Sequence, residues 1–190
     1  MLRSVLAPAL AIGLAAPPAL AQQPLRVKTQ KADLVVETVA RGLEHPWGLA
    51  FLPDGRMLVT ERPGRLRIVS VSGELSPPLA GLPRIAVRGQ GGLLDVLPDP
   101  GFADNRTIYL SFAENRGDGR AGTSVARARI NTAGTGLEGL QVIFRQEPAH
   151  TGRNHFGSRL VLDRMGALFV TVGDRYDLRD QAQNPANHIG

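Results

Sequence analysis

The sequence predicts an all-β fold made of repeated blades, as in a β-propeller, and two observations carry this prediction. A unit of one apolar run, a Gly/Pro/Asp turn and a second apolar run occurs three times in the 190 residues, and the units close at Thr60, Ser111 and Thr171. A repeat of roughly 40–50 residues made of short strands is typical of one propeller blade. No segment shows a sustained 3.6-residue apolar period, so we expect hardly any helix.

The first 21 residues are predicted to be a signal peptide and not part of the fold. Arg3 precedes an apolar stretch from Val5 to Leu20, and Ala19–Ala21 offers a small-x-small cleavage site. A membrane anchor is the alternative, but three prolines interrupt this short stretch, and a span needs roughly 20 apolar residues. We therefore expect export to the periplasm or the cell exterior, with no membrane span after cleavage before Gln22.

The strands are predicted from turns and from period-two alternation. Pro53-Asp54-Gly55 separates two apolar runs, because proline presets φ at a turn and glycine accepts a positive φ. We expect a polar lead-in over residues 22–32, an exposed hairpin tip at 115–122 and a linker over 77–83. The predicted strands cover residues 34–40, 47–51, 57–61, 65–71, 84–88, 93–97, 107–112, 123–130 and 137–145, followed by a third unit over 155–171.

The number of repeats predicts an incomplete ring. Three units are fewer than the four to eight blades of a closed propeller. Half a propeller exposes open sheet edges, which invite unwanted pairing. We therefore interpret residues 22–190 as the N-terminal part of one propeller domain in a longer protein.

Composition excludes some functions and leaves one question open. The chain has no cysteine, so thiol chemistry and cysteine metal sites are excluded. The net charge of +5 comes from scattered arginines and only 5% of residues are aromatic, whereas nucleic-acid binding favours a basic stripe with exposed aromatics. We expect no nucleic-acid partner, but either a solvated basic surface or a basic pocket for an anion fits the charge.

Three motifs stand at corresponding places near the starts of inner strands, which gather around the axis of a propeller. They are Arg88–Gly92, Arg153–Gly157 and Gly173–Gln181. The imidazole of His155 suits general-base chemistry near neutral pH, although a structural histidine is the alternative. The Gly89–Gly92 segment lacks the spacing of a nucleotide-binding loop. We interpret His45, His150 and His188 as structural and name no metal-binding residue.

Four segments, taken together and in order, resemble the soluble sugar dehydrogenases that depend on pyrroloquinoline quinone (PQQ), the aldose, soluble glucose and sorbosone type. The resemblance extends from about residue 36 to residue 190 and implies a six-bladed β-propeller, of which the chain holds about three blades, the N-terminal half. The segments are His45–Gly55, Gly89–Val96, Asn154–Leu160, and Val172–Arg175 with Ala182-Gln183 and His188–Gly190.

The resemblance also implies a reaction and a set of site residues. An aldose would lose the proton of its C1 hydroxyl to His155 and a hydride from C1 to PQQ, giving the lactone, and an external electron acceptor would reoxidise the cofactor. Gln90 and Asn154 would lie against the cofactor, and Arg179 would face the quinone with Asp180 beside it. Arg175 is the rival for that role. Calcium would bind PQQ through ligands outside this chain, and the chain alone is not expected to be an active holoenzyme.

Two other functions remain open at this point. A propeller can be a non-catalytic extracellular binding domain, because a fold does not imply a function. A lactonase-like hydrolase with a central calcium is the third possibility, but it needs acidic ligands from several blades. The presence of His155, Gln90 and a nearby arginine favours the dehydrogenase.

Overall fold

The computed structural model describes residues 24–189, so the predicted signal peptide lies outside the described residues. The described residues divide into two units, with the boundary between Thr38 and Val39. In the first unit, β1 (Leu25–Lys28) and β2 (Asp33–Val36) form an antiparallel hairpin where the sequence predicted only a polar lead-in before residue 33. No helix within residues 24–189 is long and apolar enough to cross a membrane.

The second unit consists of three antiparallel sheets, one for each predicted repeat, which we call blades 1, 2 and 3. This confirms the all-β prediction, since the described helices are limited to the short α1 (Phe102–Asn105) and a 3₁₀ turn (Arg179–Gln181). Blade 1 contains β3 (Pro46–Phe51), β4 (Met57–Glu61) and β5 (Arg65–Val69). Blade 2 contains β6 (Leu93–Pro98), β7 (Thr107–Asn115), β8 (Ala121–Ile130) and β9 (Leu137–Arg145). Blade 3 contains β10 (Gly157–Leu162) and β11 (Leu168–Val172).

The strand predicted over residues 84–88 does not form as a full strand. Ile85 makes one isolated antiparallel bridge to Glu114. The amide of Ala86 donates to the carbonyl of Ala113 at 2.7 Å. The residue before Ala113 in β7, Phe112, already pairs with Leu93 of β6. The segment therefore has only a few residues of β7 to pair with.

The hydroxyl groups that close the first two repeats connect neighbouring blades. Thr60 Oγ1 accepts a 2.8 Å hydrogen bond from the amide of Gly48 in its own blade and donates to the carbonyl of Leu94 in blade 2. Ser111 repeats this arrangement one blade further on and donates to the carbonyl of Ser158 in blade 3 at 2.6 Å. All these groups are buried, so each bond satisfies a backbone group that water cannot reach.

A buried carboxylate adds a second connection between blades 2 and 3. Asp95 on β6 is 3% exposed, and its two oxygens accept 2.8 Å hydrogen bonds from Nη1 of Arg159 and the amide of Leu160. The Arg159 guanidinium also lies 5.0 Å from the centre of the Trp47 ring in blade 1. Asp95 thereby fixes β10, the strand that follows the His155 loop.

Apolar side chains fill the spaces between the blades. The larger cluster lies between blades 1 and 2, and the smaller one lies beneath the loops that precede β6 and β10. The buried members of the larger cluster include Leu52, Leu58, Leu66, Ile68, Leu93, Val96, Ile108, Leu110 and Phe112. The smaller cluster contains Ala86, Leu94, Ala113, Ala121 and Phe156, with Trp47 packed against it.

Glu61, at the end of β4, is the centre of a buried ion cluster. Its side chain is 0% exposed and accepts hydrogen bonds from Arg65 Nε at 2.7 Å and Arg67 Nε at 2.8 Å. The amide of Glu44 donates to the other oxygen. Burial alone would raise the pKa of Glu61, but these hydrogen bonds outweigh it and lower the pKa from 4.5 to about 2.

We predict that Glu61 makes the stability of this unit sensitive to acid. A pKa lowered from 4.5 to about 2 corresponds to roughly 3 kcal/mol of stability. Because the folded-state pKa is the lower one, this contribution is complete above about pH 4.5 and is lost as the pH falls towards 2. Glu61→Gln should therefore lower the free energy of unfolding by about 3 kcal/mol at pH 7, measured by denaturant titration, and flatten its acid dependence. Glu138→Gln, at an exposed position on β9, is the control, and equal acid profiles for Glu61→Gln and the parent would contradict the prediction.

Candidate functional site

His155 lies in the loop before β10, in a left-handed backbone conformation. Its φ is +50°, which is uncommon for any residue other than glycine. The backbone amide of His155 donates a 2.8 Å hydrogen bond to the side-chain Oε1 of Gln90. The backbone amide of Gln90 donates to the carbonyl of Arg153 at 2.9 Å. The structure therefore brings together Gln90 and His155, two candidate residues from different repeats.

The register of the β10–β11 hairpin places a carboxylate beside the His155 ring. Gly157 pairs with Val172 at the end of the hairpin, and continuing the pairing by two residues sets His155 opposite Asp174. The two side chains meet, with 2.6 Å between His155 Nδ1 and Asp174 Oδ1. The register of the hairpin therefore brings the ring of His155, before β10, next to the carboxylate of Asp174, after β11.

The His155–Asp174 pair has the arrangement of a general base and its orienting carboxylate. Hydrogen bonds from the Tyr176 amide and the His155 ring lower the pKa of Asp174, so this carboxyl stays ionised near neutral pH. A carboxylate can only accept a hydrogen bond, which assigns the proton of the neutral ring to Nδ1. Nε2 then keeps a lone pair, on a side chain that is 45% exposed, and can take a proton from a bound molecule.

Asp174 is the residue that sequence reasoning missed. The resemblance places Asn154, the neighbour of His155, against the cofactor, and Asp174 is not among the candidate residues that it implies. Asn154 is half-buried, and its carbonyl accepts a 3.1 Å hydrogen bond from Nε of Arg175. The signal that could have identified Asp174 is the hairpin register, counted outward from the turn that Asp163 begins.

The His155 ring borders a cleft of about 450 Å³. Trp47, Leu94 and Phe156 give the cleft apolar and aromatic walls, and Gln90 lies at its edge. Arg62 also lines it. The Nη1 of Arg62 donates a 2.7 Å hydrogen bond to the carbonyl of Gly89, which ties blade 1 to the Gly89–Gly92 loop of blade 2. Residues of all three blades therefore surround one opening.

Arg175 and Arg179, the two rivals for a contact with the quinone, have different surroundings. Arg175 is 0% exposed, and its guanidinium is used in hydrogen bonds to backbone carbonyls. Arg179 is exposed and lies 5.3 Å from the centre of the Tyr176 ring. The same ring meets the His155 ring edge-on, with 5.3 Å between centres and an angle of 82°. Asp180, the fifth candidate residue, is exposed on the same 3₁₀ turn.

The residues around the cleft fit a flat, anionic cofactor such as PQQ, which carries three carboxylates. Arg88, which directly precedes the cleft residue Gly89 in the chain, has Nε and Nη2 atoms that are buried and have no hydrogen-bond partner among residues 24–189. A buried guanidinium without a partner can bind a carboxylate, and the aromatic walls can face a flat ring. In the part of the chain that the structure describes, no group of three or more His, Cys, Asp or Glu residues could hold a metal ion.

Comparison with known sequences gives a consistent result. The sequence model of the family described as Glucose / Sorbosone dehydrogenase matches residues 43–190. Over 144 residues, this chain is 45% identical to the aldose sugar dehydrogenase YliI of Escherichia coli, and the match covers 75% of this chain and 39% of that protein. The chain thus spans about two fifths of the length of this curated relative.

Solved structures with the same fold also carry dehydrogenase names. The apo form of the soluble aldose sugar dehydrogenase of Escherichia coli matches with a TM-score of 0.77 and 42% identity, over 81% of this chain and 44% of that chain. The PQQ-bound aldose sugar dehydrogenase of Streptomyces coelicolor matches with a TM-score of 0.73 and 28% identity, over 83% and 46%. Both similarities are consistent with three blades of a larger propeller.

We predict that Asp174 controls the position of the proton on the His155 ring. In the parent protein at neutral pH, ¹⁵N NMR of labelled histidine should show His155 with its proton on Nδ1. Asp174→Asn should raise the Nε2-protonated form, because an amide can either donate to Nδ1 or accept from it.

Asp163→Asn is the matched control, because Oδ1 of Asp163 only accepts backbone hydrogen bonds from Met165 and Ala167 in the hairpin turn, and the asparagine oxygen can accept them as well. An unchanged His155 spectrum in Asp174→Asn would show that Asp174 does not set the tautomer.

Proposed function

Because this chain belongs to the glucose/sorbosone dehydrogenase family, we propose that the protein oxidises an aldose at C1 to the lactone with PQQ as its cofactor. One observation carries the proposal. Within the cleft, the exposed His155 ring is paired at Nδ1 with the ionised Asp174, which leaves Nε2 free to act as a base. The PQQ-bound relative with 28% identity supports the choice of cofactor.

In the proposed mechanism, this chain moves the proton. Nε2 of His155 accepts the proton of the C1 hydroxyl, and the imidazolium that forms is stabilised by Asp174 at 2.6 Å from Nδ1. Gln90 fixes the His155 amide, which keeps the ring at the cleft during the transfer. When bound, PQQ supplies the acceptor for the hydride that leaves C1.

Four residues of this chain would hold the cofactor. We assign this role to Gln90, Asn154, Arg179 and Asp180, with Arg179 as the fixed positive charge at the quinone, because an arginine does not lose its proton. The buried hydrogen bonds of Arg175 favour Arg179 over Arg175. We also propose that calcium binds PQQ through ligands outside this chain, and that an external acceptor reoxidises the cofactor.

We predict that His155→Ala strongly slows sugar oxidation. The full-length protein, reconstituted with PQQ and calcium, should reduce a dye in the presence of aldoses, and the variant should lose about 10²–10⁴-fold in kcat, the range for loss of a general base. His45→Asn is a suitable control, because His45 has a φ of +48° that asparagine tolerates. A parent without activity and without a PQQ-dependent rise in Tm would favour a binding propeller, and calcium-dependent lactone hydrolysis would favour a hydrolase.

We also propose that the protein is exported, and that residues 1–21 are removed on the way. The support is the Arg3 charge, the apolar stretch and the small residues at Ala19 and Ala21. After expression in a bacterium, N-terminal sequencing of the periplasmic fraction should begin at Gln22, and Ala21→Leu should block cleavage, whereas Ala16→Leu should not. Recovery of the parent in the cytoplasm with an intact N terminus would contradict export.

A further inference from the structure

Arg175 is a fully buried cation held by backbone oxygens. Its side chain donates from Nε to the carbonyl of Asn154 at 3.1 Å, from Nη1 to the carbonyl of Ala121 at 2.6 Å and from Nη2 to the carbonyl of Gly152. Among residues 24–189, no carboxylate forms an ion pair with it within 4.0 Å. The direct hydrogen-bond partners of the charge are thus backbone carbonyls, and the carboxylate of Asp177 acts on it only from a greater distance.

This arrangement is costly for stability. Burial, together with the nearby charge of Arg88, lowers the pKa of Arg175 to about 10. The Phe156 ring lies 3.8 Å from the guanidinium carbon and offsets part of the desolvation. An apolar side chain stacked on Phe156 would avoid the cost, since buried charges are often replaced by apolar residues without loss of stability. The arginine therefore calls for an explanation other than stability.

Two of the three carbonyls that the Arg175 side chain binds belong to the loop that carries His155, and the third, that of Ala121, lies on β8. Gly152 and Asn154 precede His155 in this loop, and the backbone amide of Arg175 donates to the His155 carbonyl at 3.3 Å. A single residue thus binds three of the four carbonyls over residues 152–155. The His155 backbone, at a φ of +50°, is unfavourable on its own and needs surrounding contacts to persist.

We propose that Arg175 is a positioning residue that holds the His155 loop in the conformation in which the ring reaches Asp174 and the cleft. The expected effect of Arg175 on the reaction rate rests on the proposed function. Its expected effect on the position of the His155 ring does not, because that effect is measured without cofactor. The role requires arginine and not merely a positive charge. A planar guanidinium donates in three directions at once, whereas the single ammonium of lysine cannot span carbonyls on different strands and loops.

The test compares Arg175→Lys and Arg175→Met with the parent, as full-length proteins without cofactor. In ¹⁵N and ¹H spectra of labelled histidine, the parent should give one His155 signal with the hydrogen bond from Nδ1 to Asp174. Both variants should lose that signal or split it into several. With PQQ and aldose, kcat should fall by about 10²-fold while KM changes less than about threefold, as expected when a reacting group is misplaced by about 1 Å.

Arg67→Met is the matched control. Arg67 also binds a backbone carbonyl, that of Ser76 at 2.9 Å, and a buried carboxylate, but it lies in blade 1. Arg67→Met should lower Tm and leave the His155 signal and kcat unchanged. This control separates a general loss of stability from a displacement of the His155 ring. Added guanidinium ion should restore part of the His155 signal in Arg175→Ala but not in Arg175→Met, where the space is filled.

Two results would overturn the proposal. One is a folded Arg175→Met or Arg175→Lys protein with the parent's His155 spectrum. The other is a change in the spectrum of Arg67→Met as large as that of the Arg175 variants. If the parent shows no PQQ-dependent activity, the proposed function fails, while the spectra still decide whether Arg175 positions His155.

Discussion

The hydrogen bond between His155 and Asp174 depends on the register of one hairpin. His155 stands before β10 and Asp174 after β11, so a slip of one residue between these strands would separate the two side chains. Strand β10 is also held from outside the hairpin, because Asp95 binds the amide of Leu160 and Ser111 binds the carbonyl of Ser158. Blade 2 therefore holds in place the strand that follows the candidate base of blade 3.

The same dependence explains why the site is formed at a junction of blades. Gln90 of blade 2 holds the His155 amide, and Arg62 at the end of β4 holds the Gly89 carbonyl. One of these hydrogen bonds links blade 1 to blade 2, and the other links blade 2 to blade 3. A change in one blade can therefore alter the site through backbone groups, without any contact to a bound molecule.

The sequence was sufficient to predict the repeats and the β content, because apolar periodicity and turn residues are local signals. From the repeats it predicted that the motifs containing Gln90 and His155 gather near one axis, and the structure shows these two residues hydrogen-bonded to each other. It did not reveal Asp174, which depends on pairing across a hairpin, or the burial of Arg175, since a charged residue in a polar loop is expected to face water. The segment at 84–88 has the composition of a strand, but its partner β7 is already paired with β6 from Phe112. Competition for partners is a tertiary property that the local sequence does not contain.

The central claim is that the cleft beside His155 receives the cofactor, and a crystal structure of the full-length protein with PQQ tests it most directly. The account predicts that PQQ lies in the cleft that includes Gln90 and His155, with Nε2 of His155 facing the space above the quinone and Nδ1 still bonded to Asp174. PQQ bound elsewhere, or a His155 ring turned away from Asp174 and the cleft, would contradict it.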